Sequence, residues 1–205
     1  MSLKHSYTLI APIYDALLAG ATRSPRRKSL ASLAAHAPLQ VLINGVGTGL
    51  DLPHLPRQHR YVGLDLTAAM LRRALRREAG LHFRPVRGDA QRLPFADASF
   101  DAAVLHLILA VVPDPARCLA ETARVVKPGG TLLVFDKFLR HGEHGWWKRA
   151  LNPLTRRIAT RLDVVFEELL AAADSLERLR DEPALAGGWF RLIELRKIQP
   201  AEHAD

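Results

Sequence analysis

The sequence has only one cysteine, Cys118, so a disulfide within the chain is impossible and a reducing compartment fits the composition. It also lacks any stretch of about 18 apolar residues, which excludes a helix that spans a membrane. The first fifteen residues, MSLKHSYTLIAPIYD, contain no apolar core of the kind that secretory signals have. These absences predict a cytoplasmic protein.

Acidic residues are scarce relative to basic ones. The chain has 29 Lys and Arg against 21 Asp and Glu, which gives a net charge of +8. This excess favours anionic partners, such as nucleic acid, an acidic lipid surface or a phosphorylated substrate. An arginine-rich proteome would produce the same excess, so charge alone does not decide between these interpretations.

With 205 residues, 48% of them apolar, the chain is predicted to form a single domain. We divide it into an N-terminal helical segment (1–38), a ligand-binding core (39–138), and a last part (139–205) with a substrate lid, a helix and closing strands. Helices are predicted to begin at Ser24-Pro25, at Thr67 (ending at Gly80) and at Asp114-Pro115.

Short apolar strands alternate with these helices, a pattern that indicates parallel pairing with right-handed crossovers. A turn at KPGG, 127–130, precedes the fifth strand, and a loop with Gly187-Gly188 joins the last two. We therefore predict an α/β, Rossmann-like fold: a seven-stranded, mostly parallel sheet with an antiparallel edge strand and helices on both faces. The predicted strands are Leu39 to Asn44, Tyr61 to Asp65, Leu81 to Arg87, Ala102 to Leu107, Thr131 to Phe138, Leu176 to Arg180 and Trp189 to Ile198.

A glycine-rich turn follows the first strand, in VLINGVGTGLDLP. Glycine allows a close approach of the backbone to a ligand, and the start of a following helix offers free N–H groups. Asp65 ends the second strand about 20 residues after the first glycine, the place of an acid that binds ribose hydroxyls. A charge at the start of the helix capped by Thr67 is the alternative role for Asp65. Asp89 ends the third strand, where a carboxylate can accept a hydrogen bond from an adenine amino group.

Four segments in order, VLINGVGTG, YVGLDLTAAMLRRA, GDAQRLPFADASFD and RVVKPGGTLLV, resemble the class I S-adenosylmethionine-dependent methyltransferases. The resemblance implies S-adenosylmethionine as cofactor, with the methionine part over the glycine turn, the ribose on Asp65 and the adenine amino group on Asp89. It also places His106, at the end of the fourth strand, near the transferred methyl. The implied cofactor-binding residues are Gly45, Val46, Gly47, Gly49, Asp65, Leu66, Asp89, Ala90 and His106. A dinucleotide-binding dehydrogenase would not need the LPFADASFD segment or the KPGG turn.

The sequence departs from this family at the end of the first strand. Members usually carry an acid where Ile43 stands, and the next residue, Asn44, supplies no charge. A non-catalytic S-adenosylmethionine-binding protein is therefore kept as an alternative.

The sequence indicates the methyl acceptor less clearly than the cofactor. No N-P-P-[YF] sequence follows the fourth strand, which argues against base amino groups of nucleic acid, so a nucleic-acid partner is not expected. The segments YTLIAPIYD, GVGTGLDLP and HLILAVVPDP are most similar to bacterial phosphatidylethanolamine N-methyltransferases and quinone C-methyltransferases. This resemblance implies that Tyr14 approaches cofactor and substrate, with Tyr7 nearby; helix packing is the alternative for Tyr14. A methyltransferase of a quinone, phenol or natural product is the alternative function.

Two basic clusters agree with a lipid acceptor. One is Arg23, Arg26, Arg27 and Lys28; the other, from Lys137 to Arg161, has seven basic residues, one acid, and Trp146-Trp147 beside Lys148. Aromatic and basic side chains together suit an anionic membrane surface, so we predict peripheral association with the inner membrane; a solvated loop is the alternative.

Histidines supply the remaining candidates. His106 is predicted to orient the acceptor or take its proton, with a structural role as alternative. His141 and His144 are candidates for phosphate contact. Two histidines without a cysteine pair or an acid cluster do not make a zinc site, so no metal is predicted.

Overall fold

The computed structural model describes residues 20–78, 80–139 and 163–198. Residues 20–30 are helical (α1) and continue into a 3-10 turn, Ala31–Ala35. The other helices are α2 (Ala68–Leu75), α3 (Pro115–Val125) and α4 (Phe166–Ala171). The strands are β1 (Gln40–Asn44), β2 (Arg60–Asp65), β3 (His82–Arg87), β4 (Phe100–His106), β5 (Val126–Lys137), β6 (Leu176–Leu185) and β7 (Phe190–Lys197).

All seven strands form one sheet in the order β3-β2-β1-β4-β5-β7-β6. The first five pair in parallel, whereas β7 pairs antiparallel with both β5 and β6. The predicted seven-stranded, mostly parallel sheet is confirmed, with the antiparallel strand one position in from the edge. The strand order reverses between β1 and β4, so a crevice opens at the carboxyl ends of these strands, where such sheets bind ligands.

Helices cover both faces of the sheet. One apolar cluster joins α1 and α2 to one face through buried residues that include Leu30, Ile43, Leu71 and Val104. The other cluster packs α3 and α4 on the opposite face. Among the described residues, no helix is long and apolar enough to cross a bilayer.

Local signals predicted two helix starts correctly and one wrongly. The side chains of Thr67 and Asp114 each accept a hydrogen bond from the first turn of their helices. The predicted start at Ser24-Pro25 is wrong, because the backbone is already helical at residue 20. Proline disfavours the helical conformation of the residue before it. Here the packing of the face that carries Thr22, Pro25, Arg26 and Ser29, all buried, outweighs that preference.

Other boundaries also differ from the prediction: β6 continues to Leu185 instead of Arg180, and β5 begins at Val126 instead of Thr131. Helix α2 ends at Leu75 instead of Gly80. The KPGG turn lies inside β5 as an irregularity, since Phe100 pairs with Val126 but Ala102 pairs with Thr131. A Cβ on Gly130 would lie 2.6 Å from the backbone oxygen of Asp101, so the close approach of these strands requires glycine there.

Candidate functional site

The glycine turn lies at the carboxyl end of β1, beside the point where the strand order reverses. Gly45, Gly47 and Gly49 all have positive φ angles. A Cβ on Gly45 would lie 2.6 Å from Ile108, and one on Gly49 would lie 2.8 Å from Ala74, so these two glycines are required by packing. A Cβ on Gly47 would meet only the Gly45 carbonyl oxygen, at 4.0 Å. The turn is therefore packed at its two ends and open at Gly47, where a ligand can approach the backbone.

Asp65 closes one side of this opening. One carboxylate oxygen accepts a hydrogen bond from the Gly47 N–H at 3.1 Å, and the other accepts one from the Thr67 N–H at 2.9 Å. Burial raises the pKa of Asp65 above its ordinary value, although these hydrogen bonds act in the opposite direction. The next residue, Leu66, is 51% exposed. A carboxylate and an uncovered apolar side chain thus stand together at the edge of the turn.

Asp89 and Ala90 follow β3, the strand next to β2. Asp89 is exposed, and its Oδ1 accepts hydrogen bonds from the backbone and side-chain N–H groups of Gln91, at 2.9 and 3.0 Å. Ala90 is buried. Asp65 is the last residue of β2 and Asp89 comes two residues after the end of the adjacent β3, so both carboxylates belong to the same edge of the sheet.

His106 ends β4 and lies in a buried polar network. Its side chain is 0% exposed; Nδ1 is 2.7 Å from Oδ1 of Asp51, and Nε2 is 3.0 Å from Oγ of Ser29. Arg26 donates to the same Asp51 oxygen at 2.7 Å. Both ring nitrogens are thus engaged by side chains of the protein. Sequence reasoning predicted no role for Asp51 or Ser29, and it placed Arg26 in the first basic cluster instead of in this site.

The anomalous end of β1 is apolar on one face and polar on the other. Ile43 is 1% exposed and belongs to the cluster that also holds Leu52 and Val104. Asn44 is fully buried; its Nδ2 donates to Thr122 Oγ1 at 2.9 Å, whereas its Oδ1 has no hydrogen-bond partner among the described residues. The position that usually carries an acid is therefore part of the packing of α1 against the sheet.

Asp136, near the end of β5, is a buried carboxyl that the sequence analysis did not single out. Its two oxygens accept hydrogen bonds from the backbone N–H groups of Ala110, at 3.1 Å, and Lys137, at 2.8 Å. Burial raises the pKa of Asp136 to about 6. The carboxyl thus fastens the loop after β4 to β5.

We expect the pKa of Asp136 to make stability depend on pH. The folded protein holds this proton more tightly than the unfolded chain, whose pKa is near the ordinary 3.8. Relative to an Asp136→Asn variant, the free energy of unfolding should fall by up to about 3 kcal/mol as pH rises from about 4 to about 6, and stay constant above that. Urea unfolding of both proteins between pH 4 and 8 measures this difference. A free energy of unfolding that rises with pH relative to that of Asp136→Asn would contradict the assignment.

Some predicted site residues lie outside the described residues: Tyr7, Tyr14, His141 and His144. Most of the second basic cluster lies there too. Within residues 20–78, 80–139 and 163–198, no group of three His, Cys, Asp or Glu side chains is arranged to hold a metal ion.

Comparison with known proteins agrees with this geometry. The family described as methyltransferase domain matches residues 42–134. A phosphatidylethanolamine N-methyltransferase from Cereibacter sphaeroides is 32% identical over 190 residues, which are 90% of this chain and 93% of the relative. A demethylmenaquinone methyltransferase from Paenarthrobacter aurescens (strain TC1) is 31% identical over 88% of this chain and 75% of its own length.

Solved structures share the fold at lower identity. The [4+2]-cyclase SpnF superposes with a TM-score of 0.75 at 20% identity, over 95% of this chain and 94% of its own. An arsenic(III) S-adenosylmethionine methyltransferase from Chlamydomonas reinhardtii has a TM-score of 0.62 at 21% identity, over 82% of this chain and 66% of its own. A cyclase and a methyltransferase both have this fold, so the reaction has to be assigned from the site and the sequence relatives.

The site's residues fit S-adenosylmethionine. The backbone is open at Gly47, a carboxylate stands beside it at Asp65, and Leu66 offers an uncovered apolar surface to a ring. These are the groups that a nucleoside with a charged amino-acid tail requires. On this geometry and on the relatives' identity and coverage, the chain belongs to the class I S-adenosylmethionine-dependent methyltransferases.

Proposed function

We propose that this methyltransferase modifies a lipid-like acceptor and that phosphatidylethanolamine is the acceptor to test first. The observation that carries the proposal is the relative named as a phosphatidylethanolamine N-methyltransferase, which aligns over nine tenths of both chains. An alignment over 190 residues extends beyond the cofactor-binding core of residues 39–138 into the segments on both sides of it. A demethylmenaquinone methyltransferase from Renibacterium salmoninarum is more identical, at 39%, but only over 62% of this chain and 55% of the relative.

Bound S-adenosylmethionine supplies an electrophilic methyl group on a sulfonium. The chain's residues therefore have to bind the cofactor and the acceptor, align the acceptor with the methyl group, and exclude water. We assign the open glycine turn to the methionine part of the cofactor and the two strand-end acids to its nucleoside. Leu66 and Ala90 are assigned to the two faces of the adenine ring. The full set proposed for the cofactor is Gly45, Val46, Gly47, Gly49, Asp65, Leu66, Asp89, Ala90 and His106.

A primary ammonium group must lose a proton before its nitrogen can attack the methyl, and His106 is the base we assign to this step. The Nε2 atom is hydrogen-bonded to the Ser29 hydroxyl. The acceptor's proton is assigned to Nε2, the ring nitrogen that does not face Asp51. The imidazolium that forms lies against the Asp51 carboxylate.

A contact with anionic membrane is the second part of the proposal. Of the first basic cluster, Arg26 is buried against Asp51 and Lys28 pairs with Glu182. Arg23 and Arg27 are exposed, one turn apart on α1, and form no ion pair with an acid among the described residues. Each exposed Arg near an anionic lipid surface contributes about 1 kcal/mol to binding.

Methyl transfer from radiolabelled S-adenosylmethionine tests the acceptor. Vesicles of phosphatidylglycerol are prepared with phosphatidylethanolamine, with a demethylmenaquinone, or with neither, and a polar metabolite extract is assayed in parallel. We expect label in methylated phosphatidylethanolamine, at a rate that falls when neutral lipid replaces phosphatidylglycerol. Label only in the quinone or in the polar extract would assign the alternative acceptors. Cofactor binding without label anywhere would favour a non-catalytic protein, for which Ile43 is the first residue to examine.

A further inference from the structure

The buried network around His106 joins three separate segments of the chain. We propose that Arg26, Asp51 and Ser29 are positioning residues that hold the His106 imidazole in one orientation, with its proton on Nδ1, at the carboxyl end of β4. The catalytic consequence rests on the proposed function, whereas the state of the ring is a property of the protein without any acceptor.

The neighbours of Asp51 hold its carboxyl in the ionised form. Burial opposes ionisation of its carboxyl, but the charges and hydrogen bonds of Arg26 and His106 outweigh burial and hold the pKa of Asp51 well below its usual range. An ionised carboxylate only accepts hydrogen bonds. The atom 2.7 Å from Oδ1, the His106 Nδ1, must therefore carry a proton.

The opposite side of the His106 ring faces Ser29. In a neutral imidazole with its proton on Nδ1, Nε2 is an acceptor. Ser29 Oγ lies 3.0 Å from Nε2 and can donate its proton to it. Phe135 packs against the ring nearly perpendicularly, with the ring centroids 5.7 Å apart. Rotation of the ring would break both hydrogen bonds in a place where the His106 side chain is 0% exposed, so water could not replace them.

The residues around His106 come from α1 and from the segment after the glycine turn. Arg26 and Ser29 are three residues apart on the buried face of α1, and Arg26 also hydrogen-bonds Thr22 one turn earlier, at 3.1 Å. Asp51 comes two residues after the last glycine of the turn. The network therefore links α1, the cofactor turn and the end of β4, and a shift of any one of them would displace the ring.

The same three residue types form the catalytic triad of serine hydrolases. Two observations argue for positioning instead. Ser29 is 3% exposed and lies within a helix, and the Asp51 carboxylate is already paired with Arg26. A fluorophosphonate probe provides a direct test: covalent labelling of Ser29 in the folded protein would show a nucleophile and overturn the positioning assignment.

Nitrogen NMR of histidine tests the proposal without an acceptor. Long-range proton–nitrogen spectra of protein labelled with ¹⁵N-histidine distinguish the two tautomers. His59 is an internal control, because its Nδ1 accepts from the Leu39 N–H at 3.1 Å and its Nε2 lies 2.8 Å from the Leu33 carbonyl oxygen, which requires the proton on Nε2. We expect the proton on Nδ1 in His106 and on Nε2 in His59, so their spectra should show opposite tautomers. The signals are assigned by their loss in the variants His106→Gln and His59→Gln. A His106 proton on Nε2 alone would overturn the proposal.

Two variants separate positioning from folding. In Asp51→Asn, the new side-chain amide can either accept a hydrogen bond from His106 Nδ1 or donate one to it. The His106 spectrum should therefore show a mixture of the two tautomers, while the His59 spectrum stays unchanged. Ser29→Ala keeps the buried ion pair, so it should preserve the fold and the proton on His106 Nδ1, while the NMR signal of Nε2 shifts. Methyl transfer to phosphatidylethanolamine vesicles should become at least tenfold slower. The Kd of the cofactor should stay within about threefold of the wild-type value. An unchanged His106 spectrum in both variants would refute the proposal. If the spectra behave as expected but the vesicles are never methylated, the acceptor assignment fails and the positioning assignment stands.

Discussion

Replacing Asp65 with alanine is expected to weaken S-adenosylmethionine binding by about 100-fold or more. In the proposed complex the carboxylate accepts hydrogen bonds from the two ribose hydroxyls, and a hydrogen bond to a charged group contributes about 1.5–3 kcal/mol. Loss of two such bonds corresponds to at least about 3 kcal/mol, or two powers of ten in Kd. The carboxylate also accepts the Gly47 N–H, so the variant loses part of the support of the turn on which the cofactor lies.

Isothermal titration calorimetry with S-adenosylmethionine measures this change without a methyl acceptor. Asp97→Ala is a suitable control, because that side chain is 77% exposed and pairs only with Arg124 among the described residues. Its Kd should equal that of the wild type. Asp65→Asn should bind more tightly than Asp65→Ala, since an amide oxygen still accepts one hydrogen bond. Equal affinity of wild type and Asp65→Ala would mean that Asp65 only caps Gly47 and the start of α2.

Local patterns in the sequence were sufficient to predict most of the sheet. Alternating apolar strands and helices gave the seven strands, and the caps at Thr67 and Asp114 formed as expected. The error at α1 has a tertiary cause: Pro25 signals a helix start only where no packing extends the helix on its N-terminal side. The bulge at Gly130 also depends on a neighbouring strand, which no local pattern reveals.

In the candidate site too, local sequence patterns could predict one part and not the other. The glycine turn and Asp65 are close in sequence and follow a recognisable spacing, so their juxtaposition could be predicted. The partners of His106 come from positions 29 and 51, which have no spacing pattern relative to residue 106. The absence of an acid at Ile43 also has an explanation that involves residues distant in sequence. Ile43 pairs in register with Val104, two residues before His106, and the face it shares with His106 receives a buried carboxylate from Asp51 instead.

Breaking the ion pair of Arg26 and Asp51 is expected to produce the largest loss of stability. Their side chains are 6% and 5% exposed. An Arg26→Met variant would leave the Asp51 carboxylate buried without its guanidinium partner, and removal of one partner of a buried pair typically costs about 3–5 kcal/mol. For a chain of this length the melting temperature should fall by roughly 10 °C.

Lys28→Met is the matched control, since Lys28 lies on the same helix and also forms an ion pair, with Glu182. That pair is 57% and 33% exposed, so its loss should cost less than about 1 kcal/mol. The double variant Arg26→Met/Asp51→Leu removes both buried charges and should be more stable than Arg26→Met alone, because no uncompensated carboxylate remains. Calorimetric melting of the three variants and the wild type measures these differences. Equal melting temperatures for Arg26→Met and Lys28→Met would mean that water reaches Asp51, and the network around His106 would then not be the closed, dry unit on which its positioning depends.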